Sequence, residues 1–299
     1  MRGIVPPLVT PLTLTGDFDA ESYRRLIERV IEGGVHGIFV MGSTGEFSSF
    51  SSEIRQTIVQ ESCRAARKRI PVVVNVSDTC LEHSLRLAEF SARAGADGVA
   101  ICPPFYFSVT QCDLVRYLTK FANQAALPVF LYNIPQNAHH ELTVETVERL
   151  ADVPNIVGLK NSNGSLEYMS DVSRVKRHRP DFSILVGSEE IIVPAMEAGA
   201  DGSVCGGANM FPRLFVELYD AIAGNRNSQA RQIQEQVVRI AEALYTVGAP
   251  PTSYFRGLKA ALAELGVCGE TLAEPLAPFS SEETQELRSR LNCLLPDLT

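Results

Sequence analysis

Eight short apolar runs recur along the chain with little polar alternation inside them: Ile4-Val5 to Val9, Gly37 to Met41, Val72 to Val74, Val99 to Ile101, Val129 to Leu131, Ile156 to Leu159, Ile184 to Val186 and Ser203-Val204. A strand with one wet face alternates apolar and polar residues, whereas a strand covered on both faces reads as a continuous apolar run. The runs therefore describe a parallel sheet buried under helices. The stretches between them carry helical spacing, most clearly from Asp19 to Gly33, where Tyr23, Leu26, Ile27, Val30 and Ile31 share one face. Asp19 is the candidate cap of that helix and Gly33-Gly34 its stop. One corner is repeated identically, Ala94-Gly95-Ala96-Asp97-Gly98 and Ala198-Gly199-Ala200-Asp201-Gly202, with Gly33-Gly34-Val35-His36-Gly37 as a looser copy. Each places a glycine at a helix end and then enters the next strand tightly.

Eight β/α units between residues 4 and about 223 predict an α/β protein, a closed (β/α)8 TIM barrel, over an open doubly wound sheet. The first strand is not followed by a Gly-x-Gly-x-x-Gly turn, which argues against a dinucleotide site. Beyond Gly224 the strand pattern stops, and residues 229–247, 252–265 and 281–294 read as helices. The expected division is a barrel over 1–224 and a C-terminal three-helix extension over 225–299.

Charge narrows the partners. With 35 acidic against 27 basic residues, a net charge of −8 and no basic run, the chain has no electrostatic footprint for nucleic acid or an anionic membrane. No stretch approaches the roughly 20 apolar residues of a membrane span, and the first residues lack the apolar core of a secretory signal, so a cytoplasmic location is expected. The seven cysteines are widely spaced without Cys-x-x-Cys, which predicts reduced thiols and no metal site.

A barrel of this type builds its active site at the carboxyl ends of the strands. Strand six ends in Lys160 after four residues that offer it little polar company; desolvation there would lower its pKa and leave neutral amine to attack a carbonyl. Strand five ends in Tyr132, a phenol able to relay protons. Strand two runs into Gly42-Ser43-Thr44-Gly45-Glu46, whose backbone N–H groups and two hydroxyls suit a carboxylate or phosphate. Taken singly, each also has a structural reading: a lysine snorkelling to solvent, a packed tyrosine, an ordinary loop. Converging in one barrel mouth, they provide what amine catalysis on a 2-oxo acid requires.

The three segments Gly42-Ser43-Thr44-Gly45-Glu46, Tyr132-Asn133-Ile134-Pro135 and Gly158-Leu159-Lys160-Asn161-Ser162, with Pro104-Phe105-Tyr106 and Phe255-Arg256-Gly257-Leu258-Lys259, resemble the dihydrodipicolinate synthase and N-acetylneuraminate lyase family of pyruvate aldolases across essentially the whole chain. The resemblance implies a class I lyase without metal or other cofactor, acting through a covalent imine between Lys160 and pyruvate. It implies that Ser43, Thr44 and Gly45 hold the carboxylate, with Val204 beside the imine. Tyr132 would carry protons, with Thr44 and a Tyr106 supplied across a subunit interface completing a relay. It implies a homotetramer built as a dimer of dimers, with pyruvate and an aldehyde as small-molecule partners.

Three positions depart from the pattern. Asn137 stands where the synthases carry an arginine for aspartate semialdehyde, and an amide cannot make that bidentate charged contact. Gly187-Ser188-Glu189-Glu190 replaces the lyases' Gly-Tyr-Asp-Glu, leaving Glu189 and Glu190 as candidate polyol acceptors beside Gly187 and Ser162. Gly206 replaces the lyases' serine. The expected substrate is a 2-keto-3-deoxy sugar acid or a 4-hydroxy-2-oxo acid, with dihydrodipicolinate synthase, N-acetylneuraminate lyase and a dehydratase using the same imine as alternatives. Of different kind are a phosphosugar barrel and a non-catalytic 2-oxo acid-binding barrel. His139-His140 reads as a solvated pair, and the C-terminal helices show packing stripes without a catalytic pattern.

Overall fold

The computed structural model describes residues 1–297. Eight parallel strands, β1 Gly3–Ile4, β2 Ile38–Val40, β3 Val72–Asn75, β4 Gly98–Ile101, β5 Val129–Asn133, β6 Ile156–Asn161, β7 Ser183–Val186 and β8 Gly202–Ser203, follow the order β1-β8-β7-β6-β5-β4-β3-β2. The ring closes where the chain after β1 meets β2. Pro7 bridges Phe39 in parallel, with Leu8 N–H donating to Phe39 O and Phe39 N–H donating to Pro6 O, both at 2.9 Å. This is a (β/α)8 barrel with its helices outside.

The first strand is shorter than its apolar run suggests because Pro6 and Pro7 have no N–H to contribute to a ladder. β8 begins and ends one residue earlier than expected. In the other direction, β5 and β6 continue past their apolar runs, so Tyr132 and Lys160 lie inside strands rather than just beyond them.

Side chains on each strand alternate between two apolar destinations. Val5, Phe39, Val73, Ala100, Phe130, Leu185 and Val204 form the barrel interior, while Ile38, Val40, Val72, Val74, Val129, Leu131, Ile184 and Val186 pack under the helices. That double burial is why the runs lack polar alternation. In β6 the pairing skips a residue: Ile156 faces Val129, but Gly158 faces Phe130. Because a one-residue slip exchanges the two faces of a strand, this irregularity brings Lys160 into register with Tyr132 and onto the same inward face. Gly158 is obligatory below it, since a Cβ there would stand 2.6 Å from the Phe130 ring and 2.5 Å from Ser183 O.

The repeated corner performs one job twice. Gly95 and Gly199 take φ of 97° and 108°, outside the range comfortable for other residues. The following Asp97 and Asp201 then accept at 2.9 Å from the Val72 and Ile184 amides of the neighbouring strands. The long helix Ala20–Glu32 is capped by Asp19, which accepts from the Glu21 and Ser22 amides, and stops at Gly33.

Three helices follow the barrel units: Asn227–Leu244, Ser253–Glu264 and Ser281–Leu294. The second of them is tied to the loop after β2. Lys259 Nζ lies 2.7 Å from Glu46 Oε1 with both side chains 1% exposed, and Glu46 Oε2 accepts from the Ala273 amide at 2.6 Å. Removing one partner of a buried pair strands the other charge, at a cost of about 3–5 kcal/mol. Lys259→Met is therefore expected to lower the thermal midpoint by roughly 10 °C, and Glu46→Leu/Lys259→Met to recover part of that loss. Calorimetry of the two variants checks this; an unchanged midpoint in Lys259→Met contradicts it.

Candidate active site

Lys160 is 4% exposed at the carboxyl end of the barrel. Its Nζ stands 3.8 Å from the Tyr132 ring centroid and 4.2 Å from that of Phe39. The two rings meet edge to face with centroids 5.7 Å apart. No carboxylate forms an ion pair with it among the described residues. Burial pulls its pKa down to about 7, against a smaller opposing effect of the Cys102 thiol. A share of the amine is then neutral near pH 7, and the ring faces attract the nitrogen whenever it carries charge.

Tyr132 is 2% exposed, and its hydroxyl lies 3.3 Å from Ser43 Oγ. Burial raises its pKa above the usual phenol range, with hydrogen bonds from Ser43 and Ser162 drawing it partly back, so it remains a proton donor. The ends of β5 and β6 are locked to each other by Asn133 Nδ2 donating to Asn161 Oδ1 at 2.8 Å.

The loop after β2 is bracketed by two non-glycine residues in the left-handed region, Met41 (φ 59°) and Glu46 (φ 57°), each costing roughly 1–2 kcal/mol. Anchors on both sides hold it: Asn75 Nδ2 donates to Met41 O and Thr10 Oγ1 to Gly45 O, each at 2.8 Å. The Gly45 and Glu46 amides are spent inside the turn on the Gly42 and Ser43 carbonyls. Gly45 is therefore not an anion donor as expected; it is needed because a Cβ would stand 2.9 Å from Leu8 O. The Thr44 amide has no partner in the chain among the described residues, while the Ser43 amide is directed at the Tyr132 hydroxyl. The loop also runs beside the amine, since a Cβ on Gly42 would lie 4.0 Å from Lys160 Nζ.

A cavity of about 330 Å³ unites Lys160 with Ser43, Thr44, Tyr132, Asn137, Ser162, Gly187 and Val204. Gly187 leaves room for Ser162, whose Oγ would be 2.1 Å from a Cβ there. Lys160 is the one charged side chain among the described residues that line this cavity. A second cavity of about 250 Å³ adjoins it past Tyr132, walled by Phe47, Phe105 and Leu276.

Other expected site residues lie elsewhere. After Ser188 the chain turns into a short 3₁₀ segment, Glu189–Ile191. This turns Glu189 inward, where its carboxylate accepts from the Gly207 amide at 2.8 Å and from Tyr245 Oη at 2.9 Å. Burial raises the Glu189 pKa to about 7, with the Gly207 bond pulling against it. Glu190 is exposed. Neither lines the cavity, so neither is placed as a polyol acceptor. Tyr106 is 79% exposed, its ring against Phe107, and within one chain it does not join Thr44. His140 is spent on backbone, accepting from the Val109 amide and bonding Ala138 O, each at 2.9 Å.

Thr44 finds a different partner. Its Oγ1 lies 3.1 Å from the hydroxyl of Tyr254, which with Phe255 lines the cavity from the helix Ser253–Glu264. Tyr254 is not marked as a site residue by the sequence, and neither is Phe39. Phe39 was visible as an inward position of β2; Tyr254 had no signal except its adjacency to Phe255-Arg256-Gly257-Leu258-Lys259. Among the described residues, no group of three or more His, Cys, Asp or Glu is arranged to hold a metal ion, and no helix is long and apolar enough to cross a membrane.

The sequence profile of the Dihydrodipicolinate synthetase family matches residues 1–294. The chain is 35% identical over 290 residues to 4-hydroxy-tetrahydrodipicolinate synthase of Thermus thermophilus, covering 96% of this chain and 94% of the relative. It is 30% identical over 298 residues to Escherichia coli YagE, provisionally named a 2-dehydro-3-deoxy-D-gluconate aldolase, covering 99% and 96%. Among solved structures, dihydrodipicolinate synthase of Bacteroides thetaiotaomicron superposes with TM-score 0.94 at 41% identity over 98% of each chain. YagE in complex with pyruvate superposes with TM-score 0.94 at 28% identity over 99% of each.

The lowered pKa of Lys160 predicts a pH profile. Only the neutral amine attacks a carbonyl, so the rate of covalent adduct formation at limiting pyruvate should rise with pH and level off, with its midpoint near 7. Stopped-flow trapping from pH 5.5 to 9 measures it; a midpoint near that of an ordinary lysine, about 10.4, overturns the assignment.

Proposed function

The chain belongs to the dihydrodipicolinate synthetase family, and from that premise we propose that it is a Schiff-base, pyruvate-dependent aldolase that cleaves or forms a 2-keto-3-deoxy sugar acid or a 4-hydroxy-2-oxo acid. The observation that carries this is the desolvated, unpaired Lys160 between two ring faces, beside a loop that offers the Ser43 and Thr44 hydroxyls and the unpartnered Thr44 amide. In the cleavage direction the substrate carboxylate bonds the Ser43 and Thr44 hydroxyls and the Thr44 amide. The neutral Lys160 amine adds to C2, and the carbinolamine loses its hydroxyl as water with a proton from Tyr132, leaving an iminium.

The iminium is the electron sink. Tyr132, now a phenolate, takes the proton of the C4 hydroxyl, the C3–C4 bond breaks, and its electron pair moves into an enamine of pyruvate as the aldehyde departs. Protonation at C3 and addition of water then return the amine and release pyruvate. Every proposed step uses side chains and water alone, so the reaction as proposed needs no metal. Condensation runs the same steps in reverse.

The absence of a cationic side chain other than Lys160 among the described cavity residues, with Asn137 at the mouth, supports a neutral hydroxylated aldehyde over aspartate semialdehyde. The second reading, condensation with aspartate semialdehyde, is favoured by the names of relatives at 35% and 41% identity. The proposal also includes a cytoplasmic enzyme, a barrel over 1–224 with an extension over 225–299, and a homotetramer whose pairing covers the exposed Tyr106 and brings it to the partner's site.

Borohydride reduction with pyruvate, followed by peptide mass measurement, should give a stable adduct on Lys160, and Lys160→Ala should give none. Pyruvate release from 2-keto-3-deoxygluconate should exceed that from N-acetylneuraminate and from 4-hydroxy-2-oxoglutarate, whose aldehyde product is the anionic glyoxylate. Consumption of aspartate semialdehyde alone would sink the substrate assignment, and a folded protein without adduct would sink the mechanism. Because the desolvated lysine is unfavourable to stability, Lys160→Met should be more stable than the parent by about 1–2 kcal/mol at pH 7 in denaturant unfolding.

A further inference from the structure

Tyr254 stands in the barrel mouth without having been recognisable there from sequence, and three contacts define its place. Its hydroxyl is 3.1 Å from Thr44 Oγ1. The same hydroxyl fills the space above Gly206, where a Cβ would lie 2.0 Å away. Its ring meets the Tyr245 ring edge to face with centroids 4.8 Å apart, and Tyr245 is itself fixed by its hydrogen bond to Glu189. The phenol is thus held by a barrel loop on one side and by a buried tyrosine–carboxyl pair on the other. Gly206 and Tyr254 are complementary: the loop after β8 presents no side chain, and the appended helix supplies the wall in its place.

We propose that Tyr254 is a specificity-determining residue, whose neutral hydroxyl bonds a hydroxyl group on the fragment that departs as the aldehyde. This rests on the imine mechanism above and names the side of the cavity on which a hydroxylated aldehyde is recognised. With Thr44 donating to the substrate carboxylate, Tyr254 donates to Thr44 and keeps its own oxygen lone pairs to accept from a ligand hydroxyl. A phenol oxygen so placed accepts from a sugar-like hydroxyl. It gives little to a carboxylate compared with an arginine, and gains nothing from an alkyl aldehyde, which would leave it unpaired.

The test compares two cleavage substrates that share the pyruvate half: 2-keto-3-deoxygluconate, which releases glyceraldehyde, and 4-hydroxy-2-oxopentanoate, which releases acetaldehyde. Tyr254→Phe keeps the ring and its packing. It should lower kcat/KM for the first by roughly ten- to a hundredfold and for the second several-fold less, narrowing the preference between them. Tyr254→Ala/Gly206→Ser returns a hydroxyl to the same space from the other element and should restore part of the preference, which loss of packing alone would not do. Pyruvate trapping on Lys160 is run on every protein. Normal trapping with an unchanged preference, or an equal loss for both substrates with weaker pyruvate binding, overturns the role of Tyr254 alone; no trapping in the parent protein overturns the mechanism and this inference with it.

Discussion

An amine that must stay partly neutral near pH 7 cannot sit beside a carboxylate or in water, and the architecture around Lys160 follows from that requirement. The interior of a closed barrel is one of the few places in a soluble protein where a side chain is desolvated from all sides yet reachable from one end. Phe39 and Tyr132 line that place with ring faces, which exclude water without offering a counter-charge. They also attract the nitrogen whenever it is charged, so the environment suits the free amine and would suit the iminium of the proposed reaction.

The remaining parts position groups against that amine. The skipped residue in β6 sets which face Lys160 takes. Gly158 lets the Phe130 ring pass beneath it, and the strained loop after β2 brings Ser43 and Thr44 alongside. Strain of this kind persists only where the surroundings over-determine it. Here the surroundings include Thr10 and Asn75 from the barrel and the Lys259–Glu46 pair from the appended helix. The helices beyond the barrel units therefore do more than cover a surface. Through Lys259 they grip the far end of the loop after β2, and through Tyr254 they enter the cavity.

Much of this was legible beforehand, for identifiable reasons. Double burial leaves apolar runs, so the eight strands and their parallel order could be read; the Asp97 and Asp201 corners could be read because one local geometry demanded one sequence twice. Lys160, Tyr132 and the Ser43-Thr44 turn stood out as polar residues at strand ends. Gly45 and Glu189 misled, since a residue's type does not reveal where its amide or carboxylate points: a tight turn consumed the first, and a 3₁₀ segment rotated the second behind the loop after β8. Tyr254 could not be seen, because its relevance depends on how a helix more than two hundred residues from Thr44 docks on the barrel.

By itself, then, the sequence determined the periodicities, the breaks and the chemical inventory: strands buried on both faces, glycines where φ must be positive, and a lysine with no acidic neighbour in its own strand. Those are local or patterned properties, written in residues adjacent in the chain. Tertiary structure alone decided which backbone donors stay free, which carboxyl faces the cavity, and which distant tyrosine meets Thr44. Each of these depends on closure of the ring and on the docking of the last helices, where contacts are set by packing between segments that share no local pattern.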